Sequence, residues 1–164
     1  MSTAKVRPAT AVDVPAMLQL SAAKREQYEE YQPIFHRRAA GALEAQAPYL
    51  RSLVERDDVV VLVAETDGAV IGFGAAEIHT APPVYNPGGP AALVDDFVVA
   101  APDLWATAGR QILDALTAEL RRRGVVVVIA VCGHRDEPKR RTLTEAGLSL
   151  ASEWYVQSLS TNEQ

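Results

Sequence analysis

Two β-branched runs, ALVDDFVV at 92–99 and VVVVIAV at 125–131, are joined by one amphipathic helical segment. No other feature of the chain limits its fold as much. From Thr107 to Arg123, Ile112, Leu113, Leu116 and Leu120 recur on one stripe, while Arg110, Asp114, Thr117 and Arg121 fall off it. Gly124 is a fitting helix stop. Strand, helix and strand in this order make a βαβ unit, whose strands run parallel through a right-handed crossover. VVVVIAV is apolar throughout, which predicts a strand buried on both faces.

The rest of the chain reads as hairpins and helices. Residues 5–9 predict a short first strand, and Thr10 or Asp13 stands near the cap of a helix marked by Val14, Met17 and Leu18. A polar, aromatic segment follows at 24–38, broken by Pro33. A second helical stripe covers 42–56, with Pro48 predicting a kink or a later start. VVVLVA (59–64), the turn Thr66-Asp67-Gly68 and VIGFGAAEI (70–78) form a hairpin. Residues 79–90 are loop by composition. A helix over 137–146 opens with Pro138 and stops at Gly147, and LSLASEWYVQSL reads as a last strand. The expected fold is mixed α+β in a single domain, 1–164. Its twisted sheet is mixed and largely antiparallel, flanked by helices, with one parallel strand pair.

The formal net charge of −5 argues against a nucleic-acid partner, because phosphate neutralisation needs a basic face. A single cysteine, Cys132, forbids an internal disulfide, and three scattered His form no metal signature. No apolar run approaches the ~18 residues of a membrane helix. A cytoplasmic enzyme or binding domain without membrane contact is the expectation.

The turn between the first β-branched run and its helix carries Ala106-Thr107-Ala108-Gly109. Free N–H groups at a helix start attract anions, and small residues let a ligand approach them, although such residues also serve simply to make a turn. Residues 98–113, VVAAPDLWATAGRQIL, resemble the central motif of the GNAT superfamily of acyl-CoA-dependent N-acyltransferases, V-x-P-x-x-R/Q-x-x-G-x-G/A-x-x-L. Val99, Gly109 and Ile112 match it; Ala101, Leu104 and Thr107 replace its Pro, Arg/Gln and first Gly. VRPAT near the start, VAETDGAVIGFG and PKRRTLTEAGL extend the resemblance over nearly the whole chain.

The resemblance implies acyl-CoA, acetyl-CoA first, as cosubstrate and no metal. The parallel strands 92–99 and 125–131 would be a splayed pair, apart at their C-terminal ends, and the backbone of Phe97, Val98 and Val99 would pair with the pantetheine arm. The amides of Trp105, Ala106, Thr107, Ala108, Gly109 and Arg110 would hold the pyrophosphate. His134 would meet the pantetheine or stay a solvated loop residue. Lys139, Arg140 and Arg141 would meet the 3′-phosphate or form a solvated helix face. Tyr28, Tyr31 and His36 fall where similar proteins line the acceptor pocket, and equally suit covering the core. The acceptor would be a small-molecule or peptide amine.

Attack by an amine on a thioester needs a neutral amine, a stabilised oxyanion and a tolerated thiolate. Asp95 is the first candidate base and Glu77 the second; alternation along a strand puts Asp95 with Phe97 and Val99, and Asp96 with Val98. The resembled family often carries a Tyr as acid at the position of Leu143, and no Tyr occurs in 132–147. The expected function is N-acyl transfer, N-acetyl first. The alternative is a non-catalytic acyl-CoA-binding module. A chain with one strand after residue 147 would leave an edge for a second copy, as a homodimer.

Overall fold

The computed structural model describes residues 3–160. Its strands β1 (Lys5–Pro8), β2 (Val59–Thr66), β3 (Ala69–His79), β4 (Ala91–Val99) and β5 (Val127–Ala130) form one sheet in the order β1-β2-β3-β4-β5. All pairings are antiparallel except β4 with β5, which is parallel, as the βαβ pattern requires. The β2–β3 hairpin turns through Asp67 and Gly68, both left-handed at φ 52° and 79°. Two consecutive residues of that hand match the twist of the flanking strands.

Helices α1 (Val14–Tyr31) and α2 (Ala42–Glu55) cover one face of the sheet; α3 (Ala108–Arg122) and α4 (Glu137–Glu145) belong to the other. Odd-numbered Val59, Val61 and Val63 of β2 join Met17, Leu50 and Leu53, while even-numbered Val60, Leu62 and Ala64 join Ile112, Leu113 and Leu116. The period of two along β2 thus feeds two separate cores. Near β1, Arg7 donates to both carboxylate oxygens of Asp13 at 2.8 and 2.9 Å and to Glu65 at 2.9 Å. Asp13 is buried and also accepts the Thr10 N–H at 2.8 Å, closing a capping box.

Five expectations are corrected. The polar segment after residue 24 continues α1 as far as Tyr31, and Pro48 sits inside α2 without delaying its start. VVVVIAV is the sheet edge: β5 spans four residues, and Val127 and Ile129 are exposed. Its β-branched content reflects strand propensity, while burial depended on a neighbour that does not arrive. Residues 148–160 form no strand, and Leu150, Trp154, Tyr155 and Leu159 are exposed. Alternation also fails along β4. Gly74 pairs with Phe97 and Ala76 with Val94, so Asp95 and Asp96 together oppose Ala75. This bulge shifts the phase by one residue: Val94 and Phe97 share the α3 face, and the simple placement of Asp95 beside Phe97 is lost.

Candidate functional site

The sheet opens where β5 leaves β4. Their register ends at Val94 against Ala130, with one more bond from the Val131 N–H to the Val94 carbonyl at 3.0 Å. On the other edge, the Ala100 N–H donates to the Ile71 carbonyl at 2.8 Å. Near the end of β4 the even-numbered peptide groups therefore face β3, and those of Phe97 and Val99 turn into the fork. A cavity of about 390 Å³ lies alongside, between α1 at Gln19–Gln27, the Phe97–Pro102 stretch, Trp105 and Asp136.

At the base of the fork a 3-10 turn (Pro102–Ala106) leads into α3. The first bond of its ladder runs from the Gln111 N–H to the Thr107 carbonyl at 2.9 Å. The amides of Ala108, Gly109 and Arg110 precede that ladder, and Thr107 gives them no side-chain cap. Its hydroxyl donates back to the Leu104 carbonyl at 3.4 Å. Gly109 answers to a local neighbour: a Cβ there would stand 2.6 Å from Trp105 Cε3. The buried Trp105 ring fills the space over the glycine and meets Phe97 edge-on at 4.8 Å. Ala106 and Thr107 are exposed, and Arg110 is ion-paired with Asp114 at 2.9 Å.

The sequence pattern places Lys139 in a solvated or phosphate-facing basic run, yet in the structure it is 0% exposed. Its Nζ donates to the Phe97 carbonyl at 2.9 Å and stands over the rings of Phe97 and Trp105, 5.4 and 5.3 Å from their centroids. Burial without a carboxylate partner pulls its pKa down to about 7. The signal was in the spacing. Lys139, Thr142, Leu143 and Ala146 fall on one helical stripe, so Lys139 belongs to the inward face while Arg140 and Arg141 are exposed.

The acidic side of the fork gathers Glu77, Asp95 and Asp96. Tyr49 donates to Glu77 Oε1 at 2.9 Å, and Arg56 Nη1 contacts Oε2 at 3.2 Å. The Tyr49 phenol is pushed up by burial and by Glu77, with Asp96 and Asp95 adding to the effect. Asp95 is exposed, and its backbone carbonyl accepts from Lys24 Nζ at 3.1 Å. Asp96 is half-buried, and burial raises its carboxyl above the usual range, with the Lys24 charge opposing.

The structure brings the three expected acceptor residues together, with the Tyr28 ring 5.7 Å from that of Tyr31 and 5.2 Å from that of His36, but gives them different surroundings. Tyr28 is buried; its hydroxyl donates to Asp136 Oδ2 at 2.7 Å and accepts the Gly133 N–H at 3.1 Å. That bond ties α1 to the turn before α4, a structural task. Tyr31 is half-buried and its hydroxyl accepts from Gln27 at 2.6 Å. His36 lies edge-on to Tyr28 at 5.2 Å, and its pKa is lowered by burial, with the Lys24 and His134 charges adding. His134 is exposed and its carbonyl accepts from Arg140. Burial raises the Cys132 thiol, which suits a bystander. No helix among the described residues is long and apolar enough to cross a membrane.

The chain matches no known family's sequence profile, and no curated protein resembles it significantly in sequence. Solved structures do resemble it in shape. A predicted acetyltransferase from Clostridium acetobutylicum, solved with acetyl-CoA, aligns over 96% of this chain and 97% of its own at 16% identity, with a TM-score of 0.74. A GCN5-related N-acetyltransferase from Ralstonia eutropha JMP134 aligns over 96% and 99% at 15% identity, TM-score 0.69. An aminoglycoside acetyltransferase from an uncultured soil metagenomic sample, in complex with sisomicin, aligns over 98% and 97% at 16% identity, TM-score 0.63. At such identities the likeness establishes the fold, which is that of the GCN5-related N-acetyltransferases.

Proposed function

We propose that this chain transfers an acyl group, acetyl first, from acyl-CoA to an amine. One observation carries the reading: an unpaired strand edge, at Val99, opens into a cavity of about 390 Å³ beside uncapped amides at the start of a long helix. An extended amide-bearing chain completes such an edge as an added strand, and a phosphate group suits the helix start. The cosubstrate's pantetheine would pair along Phe97–Val99, with Val99 offering both its N–H and its carbonyl. Its pyrophosphate would meet the Ala108, Gly109 and Arg110 amides. Exposed His134 and Arg141 stand as candidate contacts for the outer parts of the cosubstrate.

The acceptor would enter from the acidic side. Glu77, Asp95 and Asp96 favour a cationic amine, and the likeness to a protein solved with an aminoglycoside agrees with a small polyamine acceptor. Such an amine must lose a proton before attack. Glu77 is held by Tyr49 and Arg56, which leaves the two aspartates freer to take that proton. Asp96, whose carboxyl is raised by burial, is the candidate base, and the exposed Asp95 beside it then orients the cation. Tyr31 and His36, at the end of α1 and beyond it, would border the acceptor.

Calorimetry with CoA and acetyl-CoA tests the donor site, and thiol release across an amine panel that includes sisomicin and spermine tests transfer. Millimolar CoA without heat of binding removes the donor reading. Binding without thiol release favours the non-catalytic module, a reading supported by Trp105 lying over Gly109. A second copy along the exposed apolar edge of β5 belongs to the same proposal, and light scattering decides it.

A further inference from the structure

Lys139 is the one fully buried cation among the described residues, and neither the cap nor the core requires a charge there. Its surroundings are cavity wall. Phe97 and Trp105, which it touches, line the cavity of about 390 Å³, as does Asp136, whose carboxylate caps the Lys139 N–H at 3.4 Å. Its ammonium rests on the Phe97 carbonyl, on the strand edge that turns into the fork. It projects from the same face of α4 as Leu143, one turn nearer the helix start. Leu143 is where the resembled family often places its acid, and it can donate nothing.

We propose that Lys139 is the proton donor to the departing thiolate, reaching the fork from one turn before the position left empty by Leu143. The proposal rests on the acyl-CoA reading above. When the tetrahedral intermediate collapses, the carbon–sulfur bond breaks and its electron pair stays on sulfur. A Lys139 N–H proton passes to that sulfur, CoA leaves as the thiol, and the neutral amine regains its proton from water. The proton shed by the acceptor amine goes to the acidic side, so the two transfers do not compete. A lysine titrating near neutrality is matched to this task, whereas an ordinary one would hold its proton too firmly. The charged groups around it are Lys24 from α1, Asp95 from β4, Cys132 after β5 and Asp136 before α4; Lys24 lowers its pKa and the other three raise it.

The test uses Lys139→Met and two readouts. The first needs no acceptor. In the wild-type complex, Lys139 and the bound thiol titrate as a coupled pair that shares one proton once the pH passes about 7, so part of the thiolate ultraviolet absorption develops below the ~8.5 of a free thiol, a drop in the apparent ionisation pH of bound CoA. In Lys139→Met that drop disappears while calorimetry still shows CoA bound. The second is thiol release with whichever panel amine the wild type accepts. Turnover falls about ten- to a hundredfold in the variant, and the wild type's decline above a pH of about 7 is lost. A thiol titration identical in both proteins, or undiminished turnover in the variant, overturns the assignment alone. Failure of the wild type to bind CoA overturns the donor reading and this assignment with it. Should the variant not fold, a wild-type turnover that shows no decline above neutral pH overturns the proposal by itself.

Discussion

Two buried charges in this molecule are treated in opposite ways. At the β1 corner Asp13 is matched on every side, by two Arg7 nitrogens and the Thr10 N–H. At the fork Lys139 has one carbonyl and two aromatic faces, and no ion pair. The first arrangement holds its proton state fixed: the Arg7 hydrogen bonds keep the Asp13 carboxyl below its ordinary range. The second leaves the proton free to leave near neutral pH. A charge matched by rigid partners serves stability, and one left half-matched is available for chemistry.

Breaking the matched corner gives the largest effect. Arg7→Met strands the Asp13 carboxylate in the interior, with an expected loss of about 3 kcal/mol in urea unfolding. Because the Asp13 pKa is depressed in the fold, the corner contributes fully above the unfolded value of 3.8, and that contribution fades as pH falls through the folded value. In Arg7→Met the acid limb of stability moves to higher pH. Gly109→Ala comes next, at about 2 kcal/mol, since its methyl collides with the Trp105 ring and the indole must shift. A larger side chain such as Gly109→Glu disturbs the fold as well as any ligand, so it is a poor probe of binding alone.

The sharpest contrast comes from Lys139→Met, which stabilises by about 2 kcal/mol at pH 6 by removing an unpaired buried charge. Between about 7 and 10.5 the unfolded wild-type chain holds a proton that the folded chain lacks. Wild-type stability therefore climbs with pH across that window, and the variant's does not. A parallel climb in both proteins would show that Lys139 is not the titrating group. The smallest effect is Arg110→Ala, which removes an exposed pair with Asp114 and costs at most about 0.5 kcal/mol.

Much of the fold was legible because its signals are local. The continuous β-branched run VVVLVA, the Asp67-Gly68 turn and the Ile112–Leu120 stripe each dictate a structure that only their own neighbours need support. The edge position of VVVVIAV was not legible, since an apolar run looks the same whether or not a strand lies beyond it. The final segment failed for the same reason: Leu148 to Leu159 has strand composition without a strand to pair with. At the site, the βαβ order made the parallel pair legible, while the fork at the C-terminal ends of its two strands came from the family resemblance alone. Alternation misplaced Asp95 because a bulge adds a residue that leaves no mark in composition.

The sequence by itself determined the elements, their order and the parallel pair with its helix start, because hydrophobic period and turn chemistry act between residues close in the chain. Tertiary structure decided that Gly109 makes room for Trp105, that Tyr28 is a buried tie, and that Lys139 lies under the fork rather than in water. Those outcomes depend on which distant surfaces meet and on the desolvation that follows, and neither is written in the spacing of a single segment.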